Sequence, residues 1–280
     1  MAAELSGLTW PRLRRWSPPL PLGLGLAVGL CLTLAALPAG AYRRSATELA
    51  DIPLWWAETT FSYALDRVGS HDLDDGTDLA AVRLSFATWG EVTCDGEPYR
   101  MQIVDGGVVA DREAGFDLES DNENLVIFLA TSEEWRARDY SSIAIAMTTI
   151  THDTTNGRIY DADIEFNDGG FQFAVLPERS PALPRPVGSA QDIQNAATHE
   201  IGHVLGLDHS ASADATMYSQ ATAGEVLKRT LADDDREGLC AVQPPESFQP
   251  TEGDSGGCSL VASAPGGLRW WAARLLFFRR

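Results

Sequence analysis

The chain has 280 residues, of which 44% are hydrophobic, and its formal net charge is −19. This length and composition allow one substantial globular domain with additional segments at its ends. The acidic excess argues against nucleic acid or an anionic membrane surface as the main partner of the folded part. We therefore expect that the protein binds no nucleic acid and contacts membranes only through terminal segments. We also expect a monomer.

The N-terminal region has the pattern of an export signal. Three arginines lie within residues 12–15, an apolar run follows at 20–37, and small residues lead up to Ala41. The alternative is a retained membrane anchor, because the run approaches the length of a membrane span. We predict a signal peptide over residues 1–41 and an extracellular or cell-envelope location.

The most informative segment begins with His199-Glu-Ile-Gly-His203. On a helix, positions i and i+4 share one face, so His199 and His203 can present their imidazoles to one metal ion. Glu200 is placed beside that ion, in the position of a general base. The alternative is that these histidines only pack the helix or lie on the surface.

A third ligand follows the helix. Gly206 can take a left-handed conformation that ends the helix and turns the chain back, so that His209 becomes the third nitrogen ligand. Three protein ligands leave a tetrahedral zinc with one open position for water, which is typical of a catalytic zinc. Met217 follows soon after, in the order expected of a Met-turn beneath the metal.

This pattern resembles the metzincin metalloendopeptidases, and within them the matrixins, especially compact bacterial secreted members. The resemblance covers most of residues 52–243. Its further features are Ser210 after the third histidine, Tyr218 after the methionine, the Asp-Ala-Asp-Ile-Glu-Phe-Asn segment at 161–167, and the segment at 231–240.

The resemblance implies an α+β zincin fold and hydrolysis of peptide bonds, with Glu200 as general base for zinc-activated water. It also implies an extended protein or peptide substrate along the edge of the fourth strand, at 143–150. The candidate pocket residues are Ile143, Ala144, Ile145, Ala146 and Tyr218. Animal matrixins hold a second, structural zinc with three further histidines and an aspartate, whereas only His71 and His152 remain here, so we predict one zinc.

Two alternatives stay open. A zinc-stabilised binding module of the same fold would keep the metal without useful turnover, although the presence of Glu200 argues against it. Acidic clusters at 72–78, 117–123 and 161–168 offer the oxygen ligands that Ca²⁺ prefers, but runs of this kind are usually solvated faces.

The periodicity predicts a five-stranded mixed sheet and three main helices, including the active-site helix. That helix follows a proline-rich loop at 176–189 and has an N-cap predicted at Ser189 with Asp192 three residues later. The predicted strands are 59–66, 101–104, 125–130, 143–150 and 158–166, and the other two helices are 77–92 and 223–239.

Cys94 and Cys240 are candidates for a disulfide, since an exported chain folds in an oxidising compartment; the alternative is two buried thiols. Around the predicted catalytic domain at 52–245 we expect a short N-terminal segment at 42–51 and a flexible linker at 246–258. The remaining residues, 259–280, are apolar with terminal arginines and resemble a sorting or anchoring tail.

Overall fold

In a computed structural model, the chain is described over residues 40–111, 113–117, 119, 122–177, 189–245 and 270–279, the last range by its backbone. The predicted signal peptide, apart from its last two residues, and the predicted linker lie outside these residues. Within the described ranges, no helix is long and apolar enough to cross a membrane.

Four α-helices and fourteen strands are assigned in the described residues. The helices are α1 (Thr77–Gly90), α2 (Ser132–Ala137), α3 (Ile193–Val204) and α4 (Asp233–Ala241), with a 3-10 turn at Leu227–Arg229. The strands are β1 (Arg43–Arg44), β2 (Trp55–Trp56), β3 (Thr60–Asp66), β4 (Thr93–Cys94), β5 (Glu97–Pro98), β6 (Gln102–Val109), β7 (Asn124–Phe128), β8 (Ala144–Asp153), β9 (Arg158–Phe166), β10 (Phe173–Ala174), β11 (Gln191–Asp192), β12 (Leu207–Asp208), β13 (Gln220–Ala221) and β14 (Trp270–Arg279).

The five predicted strands form the centre of one mixed sheet, in the order β6-β3-β7-β9-β8. The first four are parallel, and β8 runs antiparallel to β9. The predicted α+β class is confirmed. Three further strands join this sheet: β2 pairs with β9, and β14 and then β13 follow β8.

Helices α1 and α3 pack on one face of the sheet and enclose the main core. Along α1, the buried residues Val82, Phe86 and Trp89 recur at helical spacing. The indole of Trp89 also donates a 2.8 Å hydrogen bond to the carbonyl of Thr198, which joins the two helices. The opposite face carries a smaller core around Trp135 of α2 and Met147 of β8.

Two helices differ from the sequence prediction. We did not predict α2, although Thr131 and Glu134 form a complete capping box at its start. The predicted helix at 223–239 is wrong over its first half. There the chain turns at Gly224, whose φ is +78°, and the amide of Lys228 is held by the side chain of Asn195 at 2.8 Å. Regular helix begins only at Asp233.

Connections distant in sequence close the lower part of the molecule. The predicted disulfide is present between Cys94 and Cys240, with a Cα–Cα distance of 5.6 Å, and it links β4 to α4. The N-terminal segment also packs here, since β1 pairs with β12 immediately before His209. The amides of Ala41 and Tyr42 donate to the carboxylate of Asp234 on α4.

Candidate metal centre

Helix α3 is positioned at both ends by specific contacts. The N-cap is Asp192 rather than the predicted Ser189, and its carboxylate accepts the amide of Asn195 at 2.8 Å and pairs with Arg229. At the other end, Gly206 has a φ of +99° and its amide donates to the carbonyl of His203. This left-handed turn is the one predicted, and it directs the chain back towards His209.

The three predicted ligands come together. One ligand nitrogen from each of His199, His203 and His209 lies within 4.8 Å of the other two. The ring centroids are 4.9 to 5.3 Å apart. His199 and His203 are fully buried, and His209 is partly buried.

The backbone sets the tautomers of the two helical histidines. Nδ1 of His199 lies 2.6 Å from the carbonyl of Thr216, and Nδ1 of His203 lies 2.7 Å from that of Leu207. Because a carbonyl can only accept, Nδ1 carries the hydrogen in both rings and Nε2 keeps its lone pair. Burial lowers the pKa of both rings, which favours the neutral form. This donor set fits zinc, which binds neutral imidazole.

Met217 packs against Gly202 of α3, and its role in a Met-turn stays a prediction. The approach is so close that a Cβ added to Gly202 would meet the Met217 sulfur at 2.2 Å, so any larger residue at this position of the helix would require the Met217 side chain to move. The turn is held by Asp235 of α4, whose carboxylate accepts the amides of Thr216 at 2.8 Å and Met217 at 2.9 Å. Asp235 therefore fixes the peptide between Thr216 and Met217, and the Thr216 carbonyl of this peptide orients the ring of His199.

Glu200 is fully buried beside the ligands, and burial raises its pKa to about 8. The hydroxyl of Thr148, on β8, opposes this shift by donating a 2.6 Å hydrogen bond to Glu200 Oε2. Among the described residues, Glu200 Oε1 has no hydrogen-bond partner. We identified neither Thr148 nor Asp235 from the sequence, because each belongs to a segment far along the chain from α3.

The predicted pocket residues lie in two different settings. Ile143 is exposed just before β8, whereas the side chains of Ala144, Ile145 and Ala146 are completely buried. The buried three therefore offer a substrate only the backbone of the β8 edge. In the described structure β14 lies along that edge, antiparallel, from Asp153 to Ala144.

Tyr218 follows the Met-turn and is half-buried. Its carbonyl accepts a hydrogen bond from the Lys228 ammonium at 2.9 Å, and the same ammonium lies 5.4 Å from the centroid of its ring. Burial lowers the pKa of Lys228 to about 8. Beyond Tyr218, β13 pairs in parallel with β14.

His71 and His152, the two histidines outside the candidate metal centre, do not lie in one cluster of metal-ligand residues. His71 joins Asp72 and Asp168 in a second cluster of metal-ligand residues. There the Asp168 carboxylate accepts the hydroxyl of Ser70 at 2.7 Å and the amide of His71 at 2.7 Å, so it is already satisfied by protein groups. His152 lies outside this cluster, buried at the end of β8.

The fold and this site define a zincin-type metal centre. A family model of the matrixins matches residues 55–242, which is more than half of the chain, so the chain belongs to the matrixin family. The resemblance inferred from the sequence is thereby confirmed.

Relatives agree with this assignment. Metalloendoproteinase 1-MMP of Arabidopsis thaliana is 26% identical over 193 residues, which cover 68% of this chain and 44% of the relative. Metalloendoproteinase 5-MMP of the same plant and metalloendoproteinase 1 of Glycine max are each 46% identical over 54 residues. Those 54 residues are 19% of this chain and 15% and 17% of the two relatives. The chain thus spans less than half the length of each of these relatives.

Proposed function

We propose that the protein is a zinc-dependent endopeptidase with Glu200 as its general base. The observation that carries this proposal is that the imidazole nitrogens of three histidines meet, while the buried carboxylate of Glu200 directly follows the first of them on α3. Membership of the matrixin family and the names of the metalloendoproteinase relatives support it.

His199, His203 and His209 would hold the ion. When bound, zinc supplies Lewis acidity that activates water and polarises a peptide carbonyl. Glu200 accepts the proton of the attacking water and then delivers it to the nitrogen of the leaving amine. Its free oxygen, Oε1, is available for this transfer because Oε2 is engaged by Thr148.

The substrate is a protein or peptide in extended conformation. A sheet edge binds such a chain through backbone hydrogen bonds, and β8 is the last of the five central strands and packs against α3. β14 pairs with this same edge, which supports the idea that β8 accepts an extended strand. We further propose export of the protein, on the basis of the signal-like residues 1–41.

Turnover and metal content together test this function. The purified protein loaded with zinc should cleave an unfolded protein substrate, and a chelator should abolish the cleavage. Glu200→Gln should lower kcat by about 10²-fold to 10⁴-fold, since this is the range contributed by a positioned general base. Zinc content, measured by mass spectrometry, should stay at one ion per chain in this variant.

Two results would contradict the proposal. A Glu200→Gln protein with wild-type turnover would exclude Glu200 as the base. A zinc-loaded wild-type protein without turnover on unfolded substrates would favour the zinc-stabilised binding module instead.

A further inference from the structure

Thr148 is a polar residue on an apolar face. It lies on β8 between Ala146 and Ile150, whose side chains belong to the main core, and its own exposed fraction is 0%. The carboxylate of Glu200 is equally buried. The Thr148 hydroxyl contacts Glu200 twice, at 2.6 Å from Oε2 and 3.2 Å from the backbone carbonyl.

We propose that Thr148 is a positioning residue for Glu200, holding Oε2 so that Oε1 alone faces the reacting water. This inference rests on the proposed function of the site. It extends that function by assigning a role to a residue of the sheet, 52 positions away from Glu200 in the chain.

The geometry gives Thr148 this role in two ways. Threonine has a stiff χ1 torsion, because it is branched at Cβ, and a strand of the central sheet fixes its backbone. The hydroxyl is thus a rigid donor. A carboxylate with one oxygen tied to a rigid donor keeps one rotamer, whereas a carboxylate without such a donor can turn within its site.

Position matters here because proton transfer requires atoms at hydrogen-bond distance. A misplacement of about 1 Å can reduce a rate by about 10²-fold. Glu200 Oε1 has no protein hydrogen-bond partner among the described residues, so no second hydrogen bond from this part of the chain fixes the carboxylate through that oxygen. The Thr148 hydroxyl is the donor that sets its direction.

A structural alternative exists for the same contact. The hydroxyl could serve only to avoid an unsatisfied polar group in the core, through its bond to the Glu200 carbonyl. This role predicts a loss of stability on removal of the hydroxyl, with no selective effect on kcat. The two roles therefore differ in a measurable way.

The experiment compares variants with and without the hydroxyl at this position, all loaded with zinc. Thr148→Val keeps the branched shape and removes the donor, Thr148→Ala is a second variant without the donor in case valine disturbs folding, and Thr148→Ser restores the donor. Thr47→Val is the matched control, because Thr47 is also a buried threonine and its hydroxyl instead accepts a hydrogen bond from the amide of Ile52 at 3.1 Å.

We expect Thr148→Val and Thr148→Ala to lower kcat by about 10-fold to 100-fold. KM and zinc content should stay close to wild type. The melting temperature should fall, because a buried acceptor loses its donor, but it should stay above the assay temperature so that the variants are folded when kcat is measured. Thr148→Ser should recover kcat to within about 3-fold of wild type, and Thr47→Val should leave kcat unchanged. In a Glu200→Gln background, Thr148→Val should add less than about 2-fold to the loss, because it acts through the carboxylate.

The inference is overturned if both hydroxyl-free variants keep wild-type kcat in an enzyme that is otherwise active. It is also overturned if Thr148→Ser fails as badly as Thr148→Val, or if the loss of kcat follows a loss of zinc or of folded protein. These results leave the proposed function intact. An inactive wild-type protein would instead contradict the proposed function itself.

Discussion

The metal centre and the edge of β8 lie side by side but are held in different ways. In the centre, each helical histidine is fixed by one backbone carbonyl, from Thr216 or Leu207, and the donors are buried. Along the outer edge of β8, the groups that bind a neighbouring chain are backbone amides and carbonyls, and they are paired with the backbone of β14.

This difference suggests that the metal centre determines the rate of the reaction and that the β8 edge determines substrate binding. Replacing a group in the centre leaves buried polar atoms unsatisfied, which costs free energy and disturbs the ligands. A sheet edge, in contrast, can exchange one extended chain for another with equivalent hydrogen bonds. Variants of the centre should therefore change kcat, and those that remove or loosen a ligand should also change metal content. Variants of the edge partner should change KM.

The largest effect is expected from removal of a ligand. His203→Ala should reduce bound zinc from one ion per chain to none and lower kcat by on the order of 10³-fold or more, because metal activation contributes several kcal/mol to catalysis. The measurement is zinc content by mass spectrometry together with turnover.

His71→Asn is the matched control for this experiment. His71 belongs to the second cluster of metal-ligand residues, so a variant that still binds one zinc ion and retains turnover would separate the two sites. A His203→Ala protein that retained its zinc would show that the three histidines do not form the metal centre.

A smaller effect is expected from Asp235, which acts one contact away from the ligands. Asp235→Asn replaces a charged acceptor of the Thr216 and Met217 amides by an amide group. We expect the free energy of unfolding to fall by about 2 kcal/mol, because hydrogen bonds to a buried charged group are lost. Zinc affinity should fall by about 10-fold to 100-fold, as for other residues that orient a ligand.

Denaturant unfolding and zinc titration measure these two quantities. Asp233→Asn provides the control, since Asp233 is in the same turn of α4 and its side chain is 97% exposed. Equal behaviour of the two variants would mean that Asp235 does not hold the Met-turn.

The metal centre could be predicted largely from the sequence because its geometry is local. The spacing of His199 and His203 follows from helical periodicity, and Gly206 supplies the left-handed turn that returns His209 to the same point. The five central strands are also predictable, since polar and apolar residues alternate along β3 and the other four strands contain several β-branched residues. All of these signals lie within short windows of the chain.

Contacts between distant segments could not be predicted in the same way. Thr148 reads as one more β-branched residue of a strand, and only the packing of β8 on α3 places it at Glu200. Asp235 reads as one of three consecutive aspartates at the start of α4. Helix α2 differs from these cases, because the capping box of Thr131 and Glu134 is a local sequence signal that marks its start.

The segment at 270–279 is the clearest case. Its composition suggested a sorting or anchoring tail, a prediction that stays untested, and nothing in it suggested a strand on β8. In the described structure it pairs with β8 antiparallel and with β13 in parallel, so it covers the edge proposed for substrate. If a bound strand competes with substrate, the apparent affinity equals the intrinsic affinity multiplied by the fraction of molecules whose edge is free.

The smallest predicted effect therefore concerns this strand. Arg274→Pro combined with Leu275→Pro should break its pairing with β8, because proline has no amide donor and successive amides point to opposite sides of a strand. We expect KM for a peptide substrate to fall by about 3-fold to 10-fold with kcat unchanged, as the competing strand is released. Steady-state kinetics on the full chain measure both constants. The same double substitution at Leu260 and Val261, which precede residues 270–279 in the sequence, should leave KM at its wild-type value. An unchanged KM in the Arg274 and Leu275 variant would mean that β14 does not limit access of the substrate to β8. The proposed exchange of strands at that edge would then be excluded, whereas the expectations for the metal centre would stand.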